Sequence, residues 1–197
     1  TSMAYSYALW VKVDNYAHDK QGTNLISKNT IKDKWPHNNW GDLWVQIRPE
    51  IKAGNSECRQ NHAANEVSFN TFGWTSHDSP RESMMSAGYS LNPGVWNHIV
   101  VTQSSDKQQK IYFNGKCVAG PNNFSSSSLR EKSTDSRIDR TVHANVYIGG
   151  GGVYKAGLNA VIDEVQVWNK PLTDAEVLRA MQGYAANEVP EGLQGYY

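Results

Sequence analysis

One stretch of this sequence gathers groups suited to sugar chemistry: Lys34-Trp35-Pro36-His37-Asn38-Asn39-Trp40-Gly41-Asp42-Leu43-Trp44. A pyranose has an apolar C–H face that stacks on an indole, and a rim of hydroxyls that pairs with amides, carboxylates and imidazoles. Trp35 and Trp40 are therefore candidate platforms, and His37, Asn38, Asn39 and Asp42 are candidate readers of hydroxyls. A sheet face is the second candidate. Alternation puts Trp44, Gln46 and Arg48 on one side of their strand. On two other strands it opposes Trp10, His98, Val100 and Thr102 to the core candidates Leu9, Val11, Ile99 and Val101. In Ala160–Trp168 the same rule groups Glu164, Gln166 and Trp168 against Asp163, Val165 and Val167. Trp74 completes the aromatic candidates. The competing role for any one of these tryptophans is packing, because Trp is usually well buried.

Catalytic constellations are sparse. Asp163 and Glu164 are adjacent, so alternation sends them to opposite faces, where they do not act together on one sugar. Gly88-Tyr89-Ser90-Leu91-Asn92 lacks the second glycine of a nucleophile elbow. Gly149-Gly150-Gly151-Gly152 follows a strand but precedes no helix, so it reads as a turn or a close backbone contact rather than a phosphate cradle. The domain is not expected to be an enzyme.

Composition bounds the rest. The chain has 197 residues, 19 Lys and Arg against 19 Asp and Glu, and a net charge of +0. Nucleic acid demands a basic footprint, and an anionic membrane demands basic clusters, so neither partner is expected. Aromatics make up 11% of the residues, which excludes a disordered chain. The length fits one domain. No apolar run of membrane-spanning length occurs. The opening TSMAYSYALWVKV lacks the charged and apolar regions of a signal peptide, and the sequence stops at GLQGYY. Residues 1–197 are therefore expected to be a single domain excised from a longer multidomain protein.

Tyr5 to Val13 alternates strictly, as a strand with one face in a core must. Leu25–Lys28, Leu43–Arg48, Glu66–Thr71, Met84–Ser90, Trp96–Gln103, Lys110–Phe113, Lys116–Val118, Asn145–Gly149 and Ala160–Trp168 complete the expected strands. Asn114-Gly115 is a type I′ hairpin turn, which needs a positive φ at both central residues. Thr173-Asp174-Ala175-Glu176 is a capping box; Val177, Leu178 and Met181 follow as a stripe, and Gly183 ends the helix. Many short strands and one late helix make an antiparallel β-sandwich. Residues 29–41, 53–65 and 120–142 read as long polar loops, which in compact domains are usually functional. Cys58 and Cys117 are either a disulfide or two thiols, and they are too few and too far apart for zinc. Asn123-Phe124-Ser125 is a glycosylation sequon of a kind that chance often supplies.

Several segments carry a family likeness. Ala8-Leu9-Trp10-Val11-Lys12 and Leu25-Ile26-Ser27-Lys28 resemble the first two strands of laminin-G-like, concanavalin A-like jelly rolls. Trp96-Asn97-His98-Ile99-Val100-Val101-Thr102 and Ile111-Tyr112-Phe113-Asn114-Gly115 resemble a later strand and hairpin, followed by Ile148-Gly149-Gly150. The run from Gly157 to Val177 resembles the family's closing strand and helix. The likeness spans about residues 4–181 in order. It implies an all-β fold: an antiparallel two-sheet jelly-roll sandwich with one short C-terminal helix. Structural roles for Trp10, His98, Asp163 and Glu164 follow from it, with Asp163 as a buried acid bonding backbone amides. Glucanases of this architecture carry a Glu-x-Asp-x-x-Glu strand, which is absent here. Relatives often hold a rim calcium ion; Asp14, Asp19 and Asp163 are its candidate ligands, with backbone carbonyls. The functional expectation is a non-catalytic glycan-binding module on or outside a bacterial cell. Its alternatives are a protein–protein adhesion module and a structural spacer in a multidomain surface protein or glycoside hydrolase. Adjacent domains of the same protein are the other expected partners.

Overall fold

Alternation at Tyr5–Val13 does build the first strand, β1. A computed structural model describes residues 4–14, 23–29, 41–48, 66–74, 80–106, 108–123, 146–150 and 159–197. The elements that follow are β2 (Thr23–Asn29), β3 (Gly41–Arg48), β4 (Glu66–Trp74), β5 (Pro80–Ser90), β6 (Trp96–Gln103), β7 (Gln108–Phe113), β8 (Lys116–Asn123), β9 (Val146–Ile148), β10 (Ala160–Trp168), α1 (Asp174–Met181) and β11 (Leu193–Tyr196). Every described strand pairing is antiparallel. Two sheets and one helix are the content of the expected all-β jelly-roll class.

The chain divides into two compact units. One comprises Thr1–Asn15, Ala87–Asn123 and Asn159–Tyr197. Its sheet runs β11-β10-β1-β6-β7-β8. The other comprises Tyr16–Ser86 and Phe124–Leu158. It holds β2, β3, β4 and β9 of the sheet ordered β5-β4-β3-β2-β9. The sequence reading missed β11, whose Leu193-Gln194-Gly195-Tyr196 is too short to alternate visibly. It also placed Gly120–Asn123 in a loop, although these residues extend β8 along β7. The rest of that loop, and most of the other two, lie outside the described residues.

In the six-stranded sheet Leu9, Val11, Ile99 and Val101 are buried, as alternation requires. Part of the opposite face is covered as well. Ala8, Val100, Tyr112 and Trp168 pack there with Leu172, Val177 and Ala180, so α1 lies on this face. The helix starts where its cap dictates. Thr173 Oγ1 accepts the Glu176 amide at 3.3 Å, and Glu176 Oε2 accepts the Thr173 amide at 2.8 Å. Lys170 Nζ adds an ion pair to Glu176 at 2.6 Å. Thr173→Ala is expected to cost about 1 kcal/mol, read as a lower urea midpoint at unchanged slope. Val177 and Ala180 are the buried helix positions, whereas Leu178 of the expected stripe is exposed. Leu178 lies instead over the β7–β8 turn. There Asn114 and Gly115 have φ of 48° and 79°, the expected type I′ signature. A Cβ at Gly115 would stand 2.6 Å from Leu178 Cδ2, a contact to which the exposed leucine tip could yield, so the positive φ is what requires glycine there. Among the described residues no helix is long and apolar enough to cross a membrane.

Candidate functional site

The five-stranded sheet carries an unusual polar row. Asn24 of β2, Gln46 of β3 and Ser68 of β4 lie side by side in register, and all three are buried. Gln46 Nε2 donates to Asn24 Oδ1 at 2.6 Å. Burying an amide without partners costs roughly 1–3 kcal/mol, so such a row persists only where hydrogen bonds satisfy it. Two further rows follow in the same parity. Ser27, Trp44 and Asn70 form one, and Arg48 stands opposite the buried Glu66 in another. The alternate positions of these strands are apolar: Ile26, Val45 and Phe69 form a buried row between them. Among the described residues, one face of this sheet thus carries buried polar groups held within the chain, and the other is hydrophobic.

Sequence reading found part of this face. Trp44 and Arg48 occupy alternate positions of β3, in step with Gln46, whereas Asp42 falls at a register shift against β2. Trp74 ends β4 four positions beyond Asn70, again in step. Trp35, His37, Asn38, Asn39 and Trp40 lie outside the described residues. Asn24, Ser68, Asn70 and Glu66 were missed. The alternation in Val67-Ser68-Phe69-Asn70 held the signal for two of them, since Val67 and Phe69 are buried.

The face of the other sheet that held Trp10, His98, Gln166 and Trp168 is not an open platform. Trp10 Nε1 donates to the Met181 carbonyl at 3.1 Å, and Gln166 Nε2 to the Ala180 carbonyl at 3.0 Å. Trp168 Nε1 donates to Gln166 Oε1 at 3.3 Å. The end of α1 consumes these groups, because helix carbonyls in the last turn need donors. The structural roles expected for Trp10 and His98 agree with this. His98 is wholly buried, its ring 5.2 Å from that of Trp10.

Asp163 departs from its expected role. It is exposed, although Oδ1 does accept one backbone amide, that of Glu164, at 2.9 Å. A bulge explains why alternation misleads here. Ala8 pairs with Gln166 but Trp10 pairs with Asp163, so two residues of β10 oppose Leu9 alone. Glu164 takes up the extra length with a φ of 53°. The two acids are thereby close enough to interact. Desolvation first, and the Asp163 carboxylate second, raise the Glu164 carboxyl above its ordinary value.

Calcium needs six to eight oxygens. Asp14 bonds across to Asn159 through its amide at 3.0 Å, four register positions from Asp163. That is roughly 13 Å along the strand, so the structure does not bring the two carboxylates together. Asp19 lies outside the described residues. Among the described residues no group of three His, Cys, Asp or Glu side chains could hold a metal. The described candidates therefore do not form the donor set that calcium requires. Cys117 is an exposed free thiol, and Cys58 lies outside the described residues.

Comparison with known proteins adds the family context. The model of the concanavalin A-like lectin/glucanases superfamily matches residues 1–178. No curated protein matches the sequence. Among solved structures, the chain is similar to domain 4 of AbnA, an extracellular GH43 arabinanase from Geobacillus stearothermophilus, in complex with arabinotriose. The TM-score there is 0.56 at 17% identity, over 91% of this chain and 66% of that one. A protein from Bacteroides ovatus, assigned as carbohydrate-binding, gives a TM-score of 0.62 at 17% identity, over 100% of this chain and 45% of that one. The binding domain of botulinum neurotoxin DC, in complex with SialylT, gives 0.52 at 13% identity, over 92% and 35%. The chain thus spans less than two thirds of each of these. At such identities the likeness is one of fold.

Proposed function

Because this chain belongs to the concanavalin A-like lectin/glucanases superfamily, we propose that it is a non-catalytic carbohydrate-binding module of a bacterial extracellular or cell-surface protein. The observation that carries this reading is the polar parity of one face of the five-stranded sheet, where the positions of Trp44, Arg48 and Asn70 flank the buried Asn24–Gln46–Ser68 row. The amides of that row pair with one another, so they brace the sheet and leave ligand contact to the flanking positions. The same face holds the positions of Trp44, Arg48, Asn70 and Glu66, which add an indole, a guanidinium fork, an amide and a carboxylate. The solved structures with arabinotriose and with SialylT support the reading, since those domains hold sugars on a similar fold.

The test is native affinity electrophoresis against arabinan, arabinoxylan, mixed-linkage β-glucan and galactomannan. Wild type, Trp44→Ala and Trp40→Ala are compared, with circular dichroism as the check on folding. At least one polysaccharide is expected to retard the wild type. Trp44→Ala is expected to weaken that retardation at least tenfold while remaining folded. If none of the four retards the wild type, this reading fails. Retention of full binding in Trp44→Ala would move the site off this sheet face.

A further inference from the structure

Helix α1 covers only part of its sheet face. Beyond Met181 the rungs Trp96–Lys12–Val161 and His98–Trp10–Asp163 continue across β6, β1 and β10. The first rung is open: Trp96 is 39% exposed and Val161 45%, and Asp163 in the second is exposed too. Lys12 holds its ammonium 5.7 Å from the centre of the Trp96 ring, at the edge of cation–π range.

The contrast with the covered half is in the hydrogen bonds. There the indoles of Trp10 and Trp168, the Gln166 amide and the Tyr112 hydroxyl all find partners within the chain. At the open end the Trp96 indole N–H and the Lys12 ammonium have no hydrogen-bond or ion-pair partner among the described residues. Asp163 spends one carboxylate oxygen on the Glu164 amide. An exposed indole and an ammonium, neither with a hydrogen-bond or ion-pair partner among the described residues, and an exposed carboxylate thus share one surface.

We propose that this open end of the six-stranded sheet, built from Trp96, Lys12 and Asp163, is a second sugar-binding surface that takes a neutral pyranoside chain. One pyranose stacks its C–H face on Trp96, whose N–H and the Lys12 ammonium donate to its oxygens. The next unit lies over Val161, toward the Asp163 carboxylate, which accepts from a hydroxyl. Two strand spacings separate Trp96 from Val161, roughly 10 Å, which suits two consecutive sugars. Cation and carboxylate offset each other, which favours a neutral chain over an anionic one. The proposal extends the carbohydrate-binding reading to a surface that does not depend on the five-stranded sheet.

The experiment titrates the whole chain with cellohexaose, xylohexaose and mannohexaose, following tryptophan indole resonances by NMR. The Trp96 signal is assigned by its absence in Trp96→Phe. It is expected to move saturably with at least one hexasaccharide. Trp96→Ala should weaken that binding at least tenfold, and Trp96→Phe, which keeps a ring, by about threefold or less. Trp44→Ala should leave the Trp96 titration unchanged, so this surface and the five-stranded sheet can fail separately. If no hexasaccharide moves the Trp96 resonance, the proposal is overturned, whatever Trp44→Ala does. It is overturned also if the signal moves only with protein concentration, in a dimer that Trp96→Ala abolishes; the occupant is then a second copy of the chain.

Discussion

Trp168→Ala is expected to lower the unfolding free energy by about 3–5 kcal/mol. Trp168 is buried in the layer between α1 and the six-stranded sheet, against Ala8, Val100, Tyr112, Leu172, Val177 and Ala180. Tyr184 meets its ring edge-on at 5.8 Å. Removing the indole opens a cavity under the helix and also strips Gln166 Oε1 of its donor. Both effects act in the same direction. Urea titration measures the loss as a fall in midpoint. Trp168→Phe should retain part of the stability, since a ring refills some of the cavity. The opposite outcome is well defined. A ligand platform at Trp168 would leave stability within about 0.5 kcal/mol and remove binding instead.

That contrast marks where sequence reading stops. Period-2 alternation correctly put Trp168 and Gln166 on the face opposite Val165, because parity is local. It carries no information about what lies over that face. The cover is α1, whose capping box at Thr173 was legible but whose docking on Ala8, Val100 and Tyr112 joins residues far apart in sequence. The Asn114-Gly115 turn was legible for the same reason as the cap, since two adjacent residues decide it. Glu164 is the reverse case. Its bulge exists only as an offset between β1 and β10, so parity separated two acids that the structure keeps together. The polar row Asn24–Gln46–Ser68 likewise needs two registers at once, and Gln46 alone gave no hint of its partners.

Acid should destabilise the protein through His98, by on the order of 3 kcal/mol between neutrality and pH 4. The imidazole is wholly buried, neither ring nitrogen has a hydrogen-bond partner among the described residues, and Trp10 lies against it. Burial alone lowers its pKa from 6.5 to about 4, with no charged neighbour contributing. In the unfolded chain the same group takes up a proton near pH 6.5. The unfolded state therefore binds more protons between these two values, and stability falls with pH across that window. Above pH 6.5 the contribution is fully present; below about 4 both states are protonated and the loss levels off. The check is a set of urea unfolding curves from pH 7.5 to 4 for the wild type and His98→Leu. Carboxylates such as Glu176, held low by Lys170 and Thr173 despite desolvation, act in both proteins and cancel in the difference. The wild type should lose up to about 1.4 kcal/mol more per pH unit than the variant within the window. At pH 7.5 the variant should be no less stable by more than about 1 kcal/mol, because leucine removes an unpartnered polar ring from an apolar site. Parallel curves would mean that His98 is hydrated or paired in solution, and the packing of Trp10 against it would then be looser than the structure has it.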